Sequence, residues 1–232
     1  MRRYNLTEGA RQINPAHVRD IRPEVLDENG RMKILPAAFW RKTSQNERVV
    51  FGANTGIYSF PTVELVERLR EIIGDRKAIE IGSGNGVRAQ ALGIPATDSF
   101  QQEGSIYEEE YRAQGLVPVP YGPNVEKLTA YDAVRKYDPD VVVACWVTHK
   151  FDPKQPWRKG NEVGVDEADV LAHCEEYVFV GNLSPTVMHS QKPIFAQIHE
   201  TERPDWLYSR AQEHKREVLI RWKGAKFFNP AH

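Results

Sequence analysis

The residues best equipped for chemistry lie together in Ala78–Ser99, AIEIGSGNGVRAQALGIPATDS. An apolar run carries one acid, Glu80, and opens directly into Gly82, Ser83, Gly84, Asn85 and Gly86. A second acid, Asp98, closes the next short apolar run. Glycines at this spacing permit a tight turn and let a ligand approach the backbone with no Cβ in the way. A helix starting just beyond them presents free N–H groups. An acid at the tip of the neighbouring strand can accept both hydroxyls of a ribose. Spacing also separates the cofactors. A dinucleotide fingerprint needs G-x-G-x-x-G, and Val87 stands where its third glycine belongs. Glu80, two residues ahead of the first glycine, suits a cationic ligand better than a pyrophosphate. S-adenosylmethionine, with its ammonium and sulfonium, therefore fits the pattern better than NAD.

The segment EIGSGNG, followed by the acid of ATDS, resembles the glycine motif and ribose-binding acid of class I S-adenosylmethionine-dependent methyltransferases. The likeness extends over about residues 60–232. It implies that Gly82 to Gly86 line the methionine and ribose portions, that Glu80 anchors the turn and that Asp98 binds the ribose. It also implies that Asn124 and Val125 lie near the adenine. YSFPT, just before the first long helix, is similar to the element that closes the methionine pocket in some nucleic-acid and amine methyltransferases. Three departures narrow the chemistry. The helix after the glycines ends early, at Gly93, and no acid-Ala pair follows the third strand. The fourth strand runs into CWVTHKFDP, where amino-group methyltransferases acting on DNA present Asn/Asp-Pro-Pro-Tyr. No Pro-Cys nucleophile for cytosine C5 chemistry is present either, because Cys145 precedes Trp146 within the strand.

Other candidates follow the later strands. His149, three residues past a central strand, is a candidate base, and Asp152 is a second one in the same loop. Tyr121, Trp146 and Trp157 are candidates to stack on a planar substrate, against the alternative that they are core aromatics. Asn182 and Ser184 follow the fifth strand at the edge where α/β ligands bind. The stretch from His149 to Val165 is too long for a simple connection and holds Lys150, Lys154, Arg158 and Lys159. It reads as a lid over the acceptor, suited to an anion. For Asp98 the competing reading is an N-cap; for His149 it is a loop histidine in solvent.

These residues need an open parallel sheet to position them. Strands are expected at Ala78–Ile81, Ile94–Thr97, Val117–Tyr121, Val141–Trp146, Tyr177–Gly181, Ile194–Ile198 and Val218–Trp222. Helices are expected at Thr62–Ile73, Val87–Leu92, Ser105–Gln114, Glu126–Lys136, Glu167–Glu175 and Pro204–His214. The fold class is α/β, a three-layer sandwich with a mostly parallel seven-stranded sheet and helices on both faces. Residues 59–232 form the S-adenosylmethionine-binding Rossmann-like domain. Residues 1–58 read as an irregular extension with a short helix or two, packed on the domain through Leu35, Phe39 and Trp40.

Composition bounds the function. The 232 residues are 41% apolar and carry a formal net charge of −1, so no global field draws the protein to nucleic acid. Charge is uneven: residues 1–50 hold ten Arg or Lys against six acids. No apolar run approaches the roughly 20 residues that span a bilayer, and the N-terminus has no secretory signal. Two cysteines make no disulfide framework and point to a cytoplasmic setting. No His/Cys cluster has zinc-ligand spacing. The expected function is an S-adenosylmethionine-dependent methyltransferase, with a small molecule or nucleic acid as acceptor. The alternatives are a non-catalytic or cofactor-sensing module and, behind it, an NAD(P)-dependent oxidoreductase.

Overall fold

The computed structural model describes residues 13–104, 106–154, 156, 160–184, 199–211 and 213–228. Ahead of the sheet stand α1 (Arg22–Val25), α2 (Ala37–Arg41) and α3 (Gln45–Thr55). A capping box starts α3: the Ser44 hydroxyl accepts the Glu47 N–H, and the Glu47 carboxylate accepts that of Ser44. An 11-residue helix here corrects the expectation of short, irregular structure. Glu47 and Arg48 are buried together with Val49, Val50 and Phe51, which hides the polar/apolar split that marks a helix in sequence. Trp40 is fully buried and stacks on Phe60 with ring centroids 4.5 Å apart. Phe51, Val87 and Tyr208 complete that cluster.

β1 (Ser59–Phe60) leads into α4 (Val63–Ile73), capped by Thr62 accepting the Leu65 N–H at 3.0 Å. The chain then runs through β2 (Ala78–Ile81), α5 (Val87–Leu92), β3 (Ala96–Asp98), α6 (Ile106–Ala113) and β4 (Val125–Lys127). It continues through α7 (Ala130–Tyr137), β5 (Val141–Cys145), α8 (Glu167–Ala172), β6 (Glu176–Asn182) and β7 (His199–Glu202). Last come β8 (Tyr208–Ser209), β9 (Glu217–Lys223) and α9 (Ala225–Phe228).

Seven strands form one sheet in the order β4-β3-β2-β5-β6-β9-β7. β4, β3, β2, β5 and β6 are mutually parallel, and β9 runs antiparallel to both its neighbours. The two-residue alternation of a strand divides the core cleanly. Ile79, Ile81, Val142 and Ala144 face α7 and α8 through Ala133, Val134, Val170 and Leu171. Ala78, Val141, Val143 and Val178 face α4 through Leu65, Leu69, Ile72 and Ile73. Each fully buried aliphatic side chain contributes about 1.5–3 kcal/mol. Both faces are covered, which is why VVVAC reads as an unbroken apolar run. A separate ribbon pairs β1 with β8, Ser59 opposite Ser209 and Phe60 opposite Tyr208.

Three expected elements are corrected. Val117–Tyr121 forms no strand; Pro118 and Pro120 lack the N–H that a ladder requires. The strand after α6 is instead β4, so the helix expected at Glu126–Lys136 begins only at Ala130. Pro204–His214 is no helix: Tyr208 and Ser209 are drawn into the ribbon with β1. The strand expected at Ile194–Ile198 lies outside the described residues. Among the described residues no helix is long and apolar enough to cross a membrane.

Candidate functional site

A cavity of about 1270 Å³ opens at the carboxyl edge of β2, β3 and β5. Gly82 to Asn85, Arg88, Asp98 and Ser99 line one part of it, and Cys145 to Thr148 another. Lys150 and Asn161 to Asp166 border it from the loop after β5. Ala53 of α3 and Tyr107, Glu110 and Tyr111 of α6 also face it. α6 buries no residue of its own, so this helix lines the cavity and not the sheet.

The turn after β2 owes its shape to glycine. Gly82, Gly84 and Gly86 all have positive φ, between 55° and 69°. A Cβ on Gly82 would stand 2.4 Å from Val147 Cγ1, closer than real atoms come. The Ser83 N–H donates to Thr97 O at 3.0 Å, its hydroxyl to Glu80 O at 3.0 Å, and the Gly84 N–H to Asp98 Oδ2 at 3.0 Å. From outside, the Gly122 N–H donates to Gly84 O at 3.2 Å.

Glu80 is fully buried and does not line the cavity. Its Oε1 accepts from Arg88 Nε at 2.6 Å and its Oε2 from the Ala89 N–H at 3.1 Å. The carboxylate ties α5 to the turn and meets a protein cation, which corrects the idea that it attracts a cationic ligand. Asp98 does line the cavity. Its Oδ1 accepts the Phe100 N–H at 3.1 Å, the local turn contact that the N-cap alternative anticipated. A carboxylate has about four lone-pair sites, and among the described residues the backbone N–H groups of Gly84, Phe100 and Ser99 engage it. Burial pushes the Asp98 carboxyl above the ordinary carboxylate range, against the backbone donors Gly84, Phe100 and Ser99, and the nearby Glu80 charge adds to the rise.

Several expected site residues stand elsewhere. Asn124 donates from Nδ2 to Gly86 O at 3.0 Å, Val125 is buried, and neither lines the cavity. The cause is the strand correction: Val125 starts β4, so these residues precede the strand and the carboxyl edge falls at Leu128 and Thr129, which do line the cavity. Asn182 is fully buried, donating to Glu213 O at 2.8 Å and accepting the Ser184 N–H at 2.9 Å, behind the cavity wall. His149 is only 2% exposed and is not a lining residue, although Thr148 and Lys150 on either side are. Gly160 and Gly164 press against it so closely that a Cβ on Gly164 would lie 2.2 Å from His149 O. Asp152 accepts the Lys154 N–H at 2.8 Å, away from the cavity. Trp157, Arg158 and Lys159 lie outside the described residues.

Tyr121 and Trp146 do line the cavity. Tyr121 stacks on Phe100, centroids 4.1 Å apart and planes 5° from parallel, and its hydroxyl accepts the Gln102 N–H at 3.2 Å. Trp146 has φ +60°, a conformation that costs a non-glycine residue about 1–2 kcal/mol. Its N–H donates to Val180 O at 2.8 Å, which ties the kink to β6. Tyr58, in the YSFPT stretch singled out in the sequence, lines the cavity, whereas sequence reasoning missed Ser99, Tyr111, Thr129 and Arg210. Thr129 had a signal, a cap residue before a helical run. Arg210 had none, since the β1–β8 ribbon that delivers it is a long-range pairing.

The strand order, with one reversed strand beside β6, defines the class: an α/β sandwich on a mostly parallel seven-stranded sheet. Among solved structures, the chain is similar to a SAM-dependent methyltransferase from Agrobacterium tumefaciens, at 13% identity over 69% of this chain and 60% of that one, with a TM-score of 0.34. It is similar also to a precorrin 8W decarboxylase from Methanobacterium thermoautotrophicum, at 15% identity over 73% and 94%, TM-score 0.38. A third is TehB from Haemophilus influenzae, at 12% identity over 68% and 61%, TM-score 0.36. This chain spans less than two thirds of the length of the first and third. No protein-family model matches the sequence, and no curated protein matches it.

Proposed function

We propose that this chain is an S-adenosylmethionine-dependent methyltransferase acting on a small acceptor. The observation that supports it most is one cavity bordered by the Gly82–Asn85 turn, by the Asp98 carboxylate, and by the kinked end of β5. These residues fit the cofactor: a glycine turn with no Cβ directed at a ligand, a carboxylate for two ribose hydroxyls, and a cation, Arg88, already neutralised by Glu80. A volume of about 1270 Å³ exceeds the roughly 300–1,000 Å³ of a single-ligand pocket, which leaves room for an acceptor.

When bound, S-adenosylmethionine supplies a methyl group on a sulfonium, taken by an acceptor lone pair while the carbon–sulfur electrons stay on sulfur. The protein's share is alignment and the exclusion of water. Asp98 and the turn would hold the nucleoside, and Trp146 with the 161–166 loop would set the acceptor against it. Burial pushes the Tyr111 and Tyr121 phenols well up, so near neutral pH they donate hydrogen bonds and take no proton. The carboxylates of Glu110, Glu162 and Asp166, also on the wall, can receive a proton that a hydroxyl acceptor releases. Calorimetric titration with S-adenosylhomocysteine and with NAD tests the reading. Binding of the first without the second is expected; NAD binding alone would reverse it.

A further inference from the structure

One lining cation is held in place with no ion-pair partner among the described residues. Arg210 follows β8, and its backbone N–H donates to Tyr58 O at 3.0 Å. Its stem runs against Gly52 of α3, where an added Cβ would stand 2.6 Å from Arg210 Cβ; a larger residue there would displace the arginine. Its guanidinium lies over the Tyr58 ring, 3.5 Å from the centroid. Backbone, stem and head are thus each fixed. Yet among the described residues Arg210 forms no ion pair, and its buried Nη1 has no hydrogen-bond partner. The neighbouring acid, Glu213, is engaged by the Ser184 hydroxyl at 2.8 Å and by Arg216. A buried donor left unpaired costs about 1–3 kcal/mol, more when charged, so an arginine held rigid in this state is placed for an anion that arrives with a ligand.

The surroundings specify the rest of that ligand. Tyr58, Tyr111 and Trp146 line the same cavity, with the Tyr58 and Trp146 rings 6.3 Å apart. Gln102 donates to the Tyr58 hydroxyl at 3.3 Å and fixes that ring. A fixed guanidinium over the Tyr58 ring, with Tyr111 and Trp146 lining the same cavity, matches a planar ring bearing a carboxylate, which a guanidinium fork receives bidentately. We propose that the acceptor is a small aromatic carboxylic acid, its carboxylate held by Arg210 and its ring among Tyr58, Tyr111 and Trp146. The word acceptor rests on the methyltransferase reading; the anion site does not.

The experiment is calorimetric titration of the full chain with benzoate, 4-hydroxybenzoate, benzamide and benzylamine, each with and without saturating S-adenosylhomocysteine. The acids should bind at least tenfold tighter than benzamide, and benzylamine should not bind. Arg210→Met should weaken 4-hydroxybenzoate at least tenfold while S-adenosylhomocysteine affinity stays within twofold, and Arg210→Lys should recover part of the loss. If Arg210→Met does not fold, the ligand series on the unaltered protein decides. Equal affinity for acid, amide and amine overturns the proposal. So does an Arg210→Met protein that loses S-adenosylhomocysteine but keeps the acid, because the cation then serves the cofactor's own carboxylate. Acid binding in a protein that fails to bind S-adenosylhomocysteine upholds the anion site and sinks the methyltransferase reading.

Discussion

Glu167, the first residue of α8, offers the sharpest test of the electrostatics. It is 3% exposed, and the only hydrogen bond to its side chain among the described residues is the Tyr177 hydroxyl donating to Oε1 at 3.2 Å. Burial pushes its carboxyl up to about 8 from an ordinary 4.5, with Tyr177 opposing the rise and the Asp166 charge adding to it. In the unfolded chain Glu167 ionises near 4.5, so between there and about 8 the folded state holds more protons. Stability is therefore full below the unfolded value and falls as pH rises, levelling off once the folded carboxyl has ionised. At 1.36 kcal/mol for each tenfold, that gap amounts to about 5 kcal/mol. Glu167→Gln has nearly the same shape, keeps an acceptor for Tyr177 and cannot ionise. Urea unfolding from pH 5 to pH 9 should find the variant and the parent nearly equal at the acid end. The variant should be more stable by several kcal/mol at the alkaline end. Glu217, buried and raised to about 7, titrates in both proteins and cancels in the difference. Parallel stability curves would refute the reasoning.

Further outcomes follow from the site. Gly84→Val forces a β-branched side chain onto φ +55° beside Val119, 3.3 Å from the new Cβ, and should remove S-adenosylhomocysteine binding in a titration while circular dichroism shows the sheet intact. Asp98→Asn should weaken that binding by about 1.5–3 kcal/mol, the scale of a hydrogen bond to a charged group; stability loss with full affinity would mark Asp98 as a turn residue only. Arg88→Ala leaves Glu80 buried without its counter-charge and should destabilise the protein by about 3–5 kcal/mol in urea. The loop bordering the cavity at Asn161–Asp166 should exchange its amide hydrogens more slowly when cofactor and acceptor are both present, read by mass spectrometry.

What could be read in the sequence was what local pattern determines. β2 and α5 fall where apolar runs and glycines put them, and β5 ends within one residue of expectation. Residues 117–121 misled because Val-Pro-Val-Pro-Tyr alternates like a strand, while its prolines cannot pair and Val117 bonds to Ala53 O of α3 at 3.0 Å. With the strand displaced, Asn124 and Val125 fall at the amino end of β4, off the cavity. His149 was legible as a histidine near the right edge but not as a buried one, since Gly160 and Gly164 pack on it only after the loop folds back. Glu80 and Arg88 are eight positions apart across a turn, a separation no periodicity announces.

The β1–β8 ribbon has a consequence for biosynthesis. Tyr58 and Ser59 leave the ribosome long before Tyr208, Ser209 and Arg210, yet the wall they share exists only once the two short strands meet. A nascent chain can assemble β2, β3, β5 and the glycine turn while that side of the cavity stands open. The cation that completes it, Arg210, lies far along the chain from Tyr58. Chains that stop ahead of β8 can thus hold the glycine turn and Asp98 yet lack the Tyr58–Arg210 wall, so the cavity closes only after β8 has been made.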